Sequence, residues 1–254
     1  MIPNANYFEG YLSSFVGALR PDDGECNAAR IRCTQLAEPE GMADVLKRFV
    51  VAHNYVDRRA AASQWSKYFF SRLGIGALIA QLGNDQTLDL RLARLQMTTH
   101  ADGTPDIFIL GAESDSRASG TGHDLSSLVD DAFTPVINAL SQHCRLSTRV
   151  FWSNAGVYIA WALGELESQQ RIPAERLAAV RALLSGRDRP DGGFNPFHRI
   201  YKDCPPGTLD GDDAPADHCR RLCCMRDLDP QWGLCANCPR AMRYAVPAHA
   251  NGYA

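Results

Sequence analysis

The 254-residue sequence lacks any long hydrophobic run. Its longest stretch without charged or strongly polar side chains is the ten residues from Ala155 to Gly164, whereas a membrane-spanning helix needs about 18 or more. The N-terminus also lacks a basic region leading into an apolar one, and Glu9 lies where a secretion signal would be apolar. The sequence therefore predicts a cytoplasmic protein without a transmembrane segment, and it leaves a loose association with the inner membrane open.

An excess of positive charge is absent as well. Lys and Arg number 26 against 29 Asp and Glu, which gives a formal net charge of −3. Proteins that bind nucleic acid usually carry a strongly basic surface, so no nucleic-acid partner is expected. Hydrophobic residues make up 45% of the chain, enough for a substantial core. The length fits one large domain, with or without an appendage.

Common nucleotide-binding and hydrolase motifs are also missing. The glycine pairs at residues 74–76 and 120–122 lack the third glycine of a dinucleotide-binding fingerprint. Neither a P-loop nor a G-x-S-x-G elbow is present. The chain is therefore not expected to take hydride from a nicotinamide or a flavin by itself. A redox activity would need a separate electron donor, such as a ferredoxin or a flavoprotein.

The pattern that is present is mostly helical. Apolar residues recur at spacings of three and four, as one face of a helix requires. Helices are predicted over residues 42–50, 64–82, 124–144 with a kink at Pro135, 150–166 and 174–184. Partial alternation over residues 88–97, a turn at 101–103 and a β-rich stretch at 106–110 predict a hairpin, whose further strand partners the sequence does not identify.

The predicted fold class is therefore α+β and predominantly helical. A helical domain with a small β-hairpin or sheet is expected over residues 1–190. A linker rich in Pro, Gly and Asp is expected over 191–217, because breakers are too dense there for long regular elements. An irregular, cysteine-rich module is expected over 218–254.

The cysteines of this module are the strongest chemical signal. Five of the nine cysteines lie between residues 219 and 238. Four of them form the pattern C-C-x10-C-x2-C and are called the motif cysteines below: Cys223, Cys224, Cys235 and Cys238. Four thiolates can hold one tetrahedral zinc ion or the two irons of a 2Fe-2S cluster, so the number of cysteines does not distinguish the two kinds of site. Adjacent cysteines are an unusual zinc half-site, because their side chains converge only if the backbone bends.

The pattern R-R-x-C-C followed by x10-C-x2-C resembles the C-terminal motif of the FhuF-type ferric-siderophore reductases. The cysteine spacing agrees without insertion or deletion, and Arg220-Arg221 lies just upstream. Residues 152–155 (Trp-Ser-Asn-Ala) and the long helical N-terminal portion are similar in a less specific way. The resemblance implies that the motif cysteines ligate a 2Fe-2S cluster, which makes residues 218–254 an iron–sulfur module. It assigns no role to Arg220 or Arg221.

Charged and aromatic residues surround the motif. A 2Fe-2S cluster with four thiolates is an anion, and nearby positive charge raises its reduction potential. Residues 219–243 contain five arginines against two aspartates, a net charge of +3: Arg220, Arg221, Arg226, Arg240 and Arg243 against Asp227 and Asp229. These arginines are candidate tuning groups, with a solvated basic surface as the alternative. Trp232, within the spacer, would shield the cluster or serve in packing.

The resemblance implies a ferric-siderophore reductase, an iron–sulfur oxidoreductase that releases iron as Fe(II) by one-electron transfer. Its substrate would be a ferric siderophore, with the hydroxamate type implied by the family. One alternative is a non-enzymatic siderophore-binding or iron-trafficking protein with a structural zinc or cluster. Another is an electron carrier or redox sensor, although a carrier needs far fewer residues than the roughly 200 upstream of the motif.

The sequence offers few candidate substrate contacts. A cleft between residues 1–190 and the cysteine module is the expected docking place. Asn154 and His198 are candidates for its lining, with a core hydrogen bond and an exposed loop histidine as their ordinary roles. Cys219 and His218 lie close enough to the motif to act as alternative ligands, although the motif leaves them out.

Overall fold

The structure is a computed structural model, and it describes residues 7–24, 28–111, 124–189, 191–203 and 218–241. The helices are α1 (Pro39–Ala52), α2 (Arg58–Asn84), α3 (Thr134–Cys144), α4 (Thr148–Gln169) and α5 (Ala174–Ser185). The strands are β1 (Leu19–Pro21), β2 (Ile31–Arg32), β3 (Leu95–Thr99), β4 (Pro105–Leu110), β5 (Tyr201–Asp203) and β6 (His218–Arg220). The predicted class, α+β and predominantly helical, is confirmed. None of the helices in these ranges combines the length and apolar character needed to cross a membrane.

Helix α2 is the central element of the core. It begins after Asp57, whose carboxylate accepts the backbone N–H of Arg59 at 2.8 Å and so caps the helix. The buried residues of α2 itself are mostly apolar or small and lie on nearly all sides of the helix, which is typical of a buried central helix. At Gly74 the helix packs tightly against Phe133 and Ile159, because an added Cβ would stand 3.1 Å from each of these side chains. The helix predicted over residues 64–82 is confirmed and extends further at both ends.

A four-stranded sheet in the order β1-β4-β3-β2 packs against α2. Strands β3 and β4 form the predicted hairpin, with Met97 opposite Phe108, but its first strand covers 95–99 rather than 88–97. Strand β1 runs parallel to β4, and β2 runs antiparallel to β3. Phe108 projects from the sheet onto Phe69 of α2, with the ring centroids 5.2 Å apart. The two added strands have only three and two residues, too short for a periodicity to be read from the sequence.

The helix predicted over residues 124–144 consists of two parts. A π-helical stretch, Ser127–Phe133, leads into α3. Pro135 therefore lies in the first turn of α3, directly after the π-helical stretch. The predicted helix is thus irregular immediately before the proline, and the kink at Pro135 stays a prediction.

The segment after α5 folds back over α4. Phe197 is buried in the same core as the helices, and β5 pairs antiparallel with β6, placing Tyr201 opposite Arg220. This pairing returns the chain to the helices immediately before the motif cysteines. The domain boundaries expected at 190 and 217 stay a prediction, and residues 204–217 of the linker and 242–254 of the module lie outside the described residues.

A glycine sets how closely this segment approaches α4. An added Cβ at Gly156 would stand 2.6 Å from Ile200 Cγ2 and 3.1 Å from Phe197 Cδ1. Gly156→Ala should therefore lower the free energy of unfolding by about 1–3 kcal/mol through overpacking. Gly164, on the same helix, has no atom within 4 Å of an added Cβ, so Gly164→Ala should raise it by about 0.5–1 kcal/mol. Urea unfolding of the two variants measures both free energies of unfolding, and equal changes in the two variants would contradict the prediction.

Candidate functional site

The four motif cysteines come together at one place in the structure. The sulfur atoms of Cys224 and Cys235 are 3.7 Å apart, and Cys238 hydrogen bonds with both Cys223 and Cys235. Two sulfur ligands at about 2.3 Å from a tetrahedral metal ion are roughly 3.8 Å apart, so this spacing suits two thiolates on one ion. Cys224 and Cys238 are buried, whereas Cys223 and Cys235 are half-buried.

These sulfur contacts form a chain from Cys223 through Cys238 and Cys235 to Cys224 rather than a group around one point. Within the described ranges, no group of three or more His, Cys, Asp or Glu side chains is arranged to hold a single metal ion. A mononuclear zinc site would need all four sulfurs around one centre, whereas a dinuclear cluster takes two sulfurs at each metal.

A bend in the backbone directs the adjacent pair. Met225, directly after Cys224, adopts a left-handed conformation with φ 58°, and its N–H donates to the sulfur of Cys223 at 3.3 Å. The N–H of Arg240 donates to the sulfur of Cys238 at 3.4 Å. Hydrogen bonds from backbone N–H groups favour the thiolate form. The chain therefore bends where convergence of adjacent cysteines requires it.

The motif cysteines shift one another's pKa values. The pKa of Cys224 falls to about 4, chiefly through its hydrogen bond with Cys235 and also through the positive charges of Lys67 and Arg220. The pKa of Cys238 falls to about 2 because Cys223 and Cys235 hydrogen bond to it. The pKa values of Cys223 and Cys235 rise, since each is hydrogen bonded to a neighbouring cysteine and lies beside negative charge. Ionisation of all four thiols therefore requires added positive charge, such as metal ions supply.

Lys67 on α2 supplies a positive group that the sequence analysis did not name. Its Nζ donates to the sulfur of Cys224 at 3.3 Å, across a sequence separation of 157 residues. Burial lowers the pKa of Lys67, while the negative charge of Cys224 and Cys235 opposes that shift. The sequence offered one signal for Lys67: it lies among mostly small or apolar residues, at 60–66 and 69–71. That pattern does not reveal what the ammonium group faces.

A buried polar network joins the cysteine loop to α2 and α4. The guanidinium of Arg220, only 3% exposed, hydrogen bonds to the side-chain oxygen of Asn154. The amide of Asn154 donates to the hydroxyls of Ser63 and Ser66, each at 3.0 Å. The hydroxyl of Ser63 in turn donates to the backbone carbonyl of Cys224 at 2.5 Å. Asn154 therefore makes core hydrogen bonds, the ordinary role considered for it, and those bonds fix the position of Cys224.

Other residues considered near the motif pack together or form ion pairs, and the negative charge of Cys223 raises the pKa of Arg240. Trp232 stacks on Tyr55 with centroids 6.2 Å apart, and the guanidinium of Arg226 lies 4.9 Å from the Trp232 ring centre. Arg240 pairs with Asp227. Arg221 is exposed, and Arg243 lies outside the described residues.

The ten-residue spacer is anchored by Asp229. Its buried carboxylate accepts the backbone N–H groups of Val56 at 2.7 Å and Asp57 at 3.3 Å, in the connection between α1 and α2. Burial opposes ionisation, but these hydrogen bonds outweigh it and lower the pKa of Asp229. Asp229 therefore docks the spacer on the helical part of the fold.

The alternative ligands lie outside the sulfur contacts. Cys219 is disulfide-bonded and therefore has no free thiolate to offer a metal. The exposed His218 faces Asp203, with Nδ1 3.8 Å from the carboxylate. His198 is half-buried, and its Nδ1 lies 3.1 Å from the carbonyl oxygen of Gly186.

Comparison with known proteins identifies the family. Residues 63–205, more than half of the chain, match the family described as "Ferric iron reductase FhuF-like transporter". The chain belongs to the FhuF-like family. The matched range of this FhuF-like chain includes Ser63, Lys67 and Asn154, and it ends before the motif cysteines. A relative from Escherichia coli (strain K12), named "Ferric siderophore reductase", is 24% identical over 187 residues. That alignment covers 72% of this FhuF-like chain and 66% of the relative, just under two thirds of its length.

Proposed function

We propose that the protein reduces the ferric iron of a siderophore chelate and releases it as Fe²⁺, using a 2Fe-2S cluster held by the motif cysteines and electrons from a separate donor protein. The observation that supports this most is the chain of contacts that brings the four motif sulfurs together beside the Lys67 ammonium. Membership of the FhuF-like family and the name of the E. coli relative support a ferric siderophore as the substrate.

The donor set fits such a cluster. The contacts bring four sulfurs to one place, the number that a 2Fe-2S cluster needs, and backbone N–H groups already bond to two of them. When bound, the cluster would supply one electron at a time. Cys224 and Cys238 are buried, so water is kept from their side of the site. Cys223 and Cys235 are half-buried, so their side of the site lies closer to the surface.

The surrounding residues stabilise negative charge at the site. Lys67 donates directly to Cys224, and Arg220 lies near enough to lower the pKa of the same thiol. Asn154 holds the Arg220 guanidinium in place from α4. Because reduction adds one negative charge, fixed cations at this distance favour the reduced form and raise the reduction potential.

Release of the metal follows from the preferences of the substrate itself. A siderophore surrounds Fe³⁺ with hard oxygen ligands, which bind the larger and less charged Fe²⁺ far more weakly. One added electron therefore lowers the affinity of the chelate enough for iron to leave. The protein needs to bind the chelate near the site, and no nucleophile or general base is required of the chain.

The test begins with protein purified without air. We expect visible charge-transfer absorption that dithionite bleaches, together with stoichiometric iron and inorganic sulfide. Mixing the reduced protein with a ferric siderophore and a ferrous chelator should reoxidise it, with a rate that saturates in siderophore. A colourless protein with stoichiometric zinc would overturn the proposal. Reoxidation without dependence on the siderophore would instead indicate an electron carrier.

The Lys67 ammonium should tune the site. Lys67→Met keeps the apolar stem and removes the charge 3.3 Å from the sulfur of Cys224, so the reduction potential should fall by about 50–100 mV. A redox titration followed by visible absorption measures this. The control is Lys47→Met at an exposed position on α1, which should shift the potential little. Equal shifts in the two variants would show that Lys67 acts only through overall charge.

A further inference from the structure

A cavity opens beside the motif, on the side of α4 and the segment before β5. Its volume is about 370 Å³, within the usual range for small-ligand sites. The first turns of α4, residues 194–200 and the residues directly before Cys223 form its walls. Leu222 lines the cavity and precedes Cys223 in the chain. A ligand in this cavity would therefore lie next to the cysteine loop.

The cavity has a strongly positive rim. Its lining includes Arg149, Arg199 and Arg221, all exposed, and contains no Asp or Glu. None of these three guanidinium groups forms an ion pair with a carboxylate in the described part of the chain. Many other arginines are paired, among them Arg189 with Asp130 and Asp191. Since the whole chain has a net charge of −3, three unpaired cations around one cavity are a local feature.

Apolar and aromatic side chains complete the lining. Trp152 and Leu222 lie in the walls, and Phe194 is 71% exposed at the rim. A lining that contains both guanidinium groups and aromatic side chains suits a ligand that combines negative charge with flat rings. The cavity also adjoins the buried network, because the Ser153 hydroxyl in its wall accepts a hydrogen bond from Arg220 at 3.4 Å.

We propose that this cavity binds anionic ferric chelates, of the catecholate class, in preference to the neutral hydroxamate chelates that the family resemblance implies. The proposal rests on the proposed reductase function for its biological meaning, but it concerns binding alone. Three unpaired guanidinium groups attract a multiply charged anion and gain little from a neutral complex. The aromatic walls accommodate catechol rings, which hydroxamate arms lack.

The experiment uses gallium(III), which matches Fe³⁺ in charge and size and is not reduced under these conditions. Calorimetry compares the trianionic gallium complex of a hexadentate tricatecholate with the neutral complex of a hexadentate trihydroxamate. We expect the wild type to bind the anion about tenfold or more tightly than the neutral complex, with the difference shrinking as salt is added. Equal or tighter binding of the neutral complex would overturn the proposal.

Two variants locate the binding. Arg149→Gln/Arg199→Gln/Arg221→Gln should weaken anion binding about tenfold and leave neutral binding unchanged. The matched control removes three exposed arginines elsewhere: Arg32→Gln, Arg48→Gln and Arg181→Gln. It should leave both affinities unchanged, and equal losses in the two variants would overturn the proposal. If the cavity variant fails to fold by circular dichroism, Arg221→Gln alone should still weaken anion binding measurably, and an unchanged affinity would overturn the proposal.

A separate assay distinguishes failure of this proposal from failure of the reductase function. Visible absorption and ferrous release are measured on the same wild-type preparation. Cluster absorption and iron release without anion preference would contradict only the cavity proposal. Anion-selective gallium binding by a protein that never acquires a cluster would support the cavity and contradict the reductase.

Discussion

Cys224→Ser is expected to abolish the cluster spectrum, or at least to reduce iron and sulfide content about tenfold. The sulfur of Cys224 is buried, lies 3.7 Å from that of Cys235 and accepts a hydrogen bond from Lys67. A serine oxygen is shorter, harder and far less acidic than this thiol, whose pKa lies at about 4. Anaerobic reconstitution followed by visible spectroscopy and iron and sulfide analysis checks the prediction.

The control is Cys144→Ser at another buried free cysteine. The Cys144 thiol donates to the carbonyl of Leu140 at 3.0 Å, a bond that a serine hydroxyl also makes. This variant, and Cys33→Ser, should keep the wild-type spectrum. An unaltered spectrum in Cys224→Ser, or an equal loss in all three variants, would refute the assignment of the motif cysteines as ligands.

Asn154→Leu should have the largest effect on stability, lowering the free energy of unfolding by roughly 3–5 kcal/mol. The substitution removes the closer of two acceptors of the buried Arg220 guanidinium, leaving the Ser153 hydroxyl at 3.4 Å, and it removes the amide that bonds to Ser63 and Ser66. A buried charge that loses its closer acceptor is costly, and the link from α4 to the carbonyl of Cys224 is lost. Urea unfolding measures the change, and the rate of cluster loss to a chelator should rise with it.

A double variant separates the buried charge from simple packing. Asn154→Leu/Arg220→Met removes both partners, so it should be more stable than Asn154→Leu alone by about 1–3 kcal/mol. If the two substitutions change the free energy of unfolding additively, the Asn154–Arg220 bond does not hold the cysteine loop in place. Asn195, another buried asparagine, bonds to carbonyl groups at the end of α5, so Asn195→Leu should destabilise the fold without accelerating cluster loss.

Several features could be predicted from the sequence because local interactions determine them. The helices at residues 42–50 and 150–166 follow from their apolar spacing, and α1 and α4 confirm them. The β3–β4 hairpin follows from a turn between two apolar stretches. The choice of the motif cysteines as ligands came from their spacing and the family resemblance. It stays a prediction that the sulfur contacts support.

The sequence by itself determined the helical class, the hairpin and which cysteines stand close together along the chain. Only the tertiary structure decided what surrounds them. Lys67 and Ser63 reach Cys224 across more than 150 residues, and no periodicity or spacing encodes a contact of that range. The same holds for the three unpaired arginines, which come from two separate segments and the cysteine loop to surround one cavity. Contacts between distant segments depend on how the helices pack, and that packing is settled by the whole core at once.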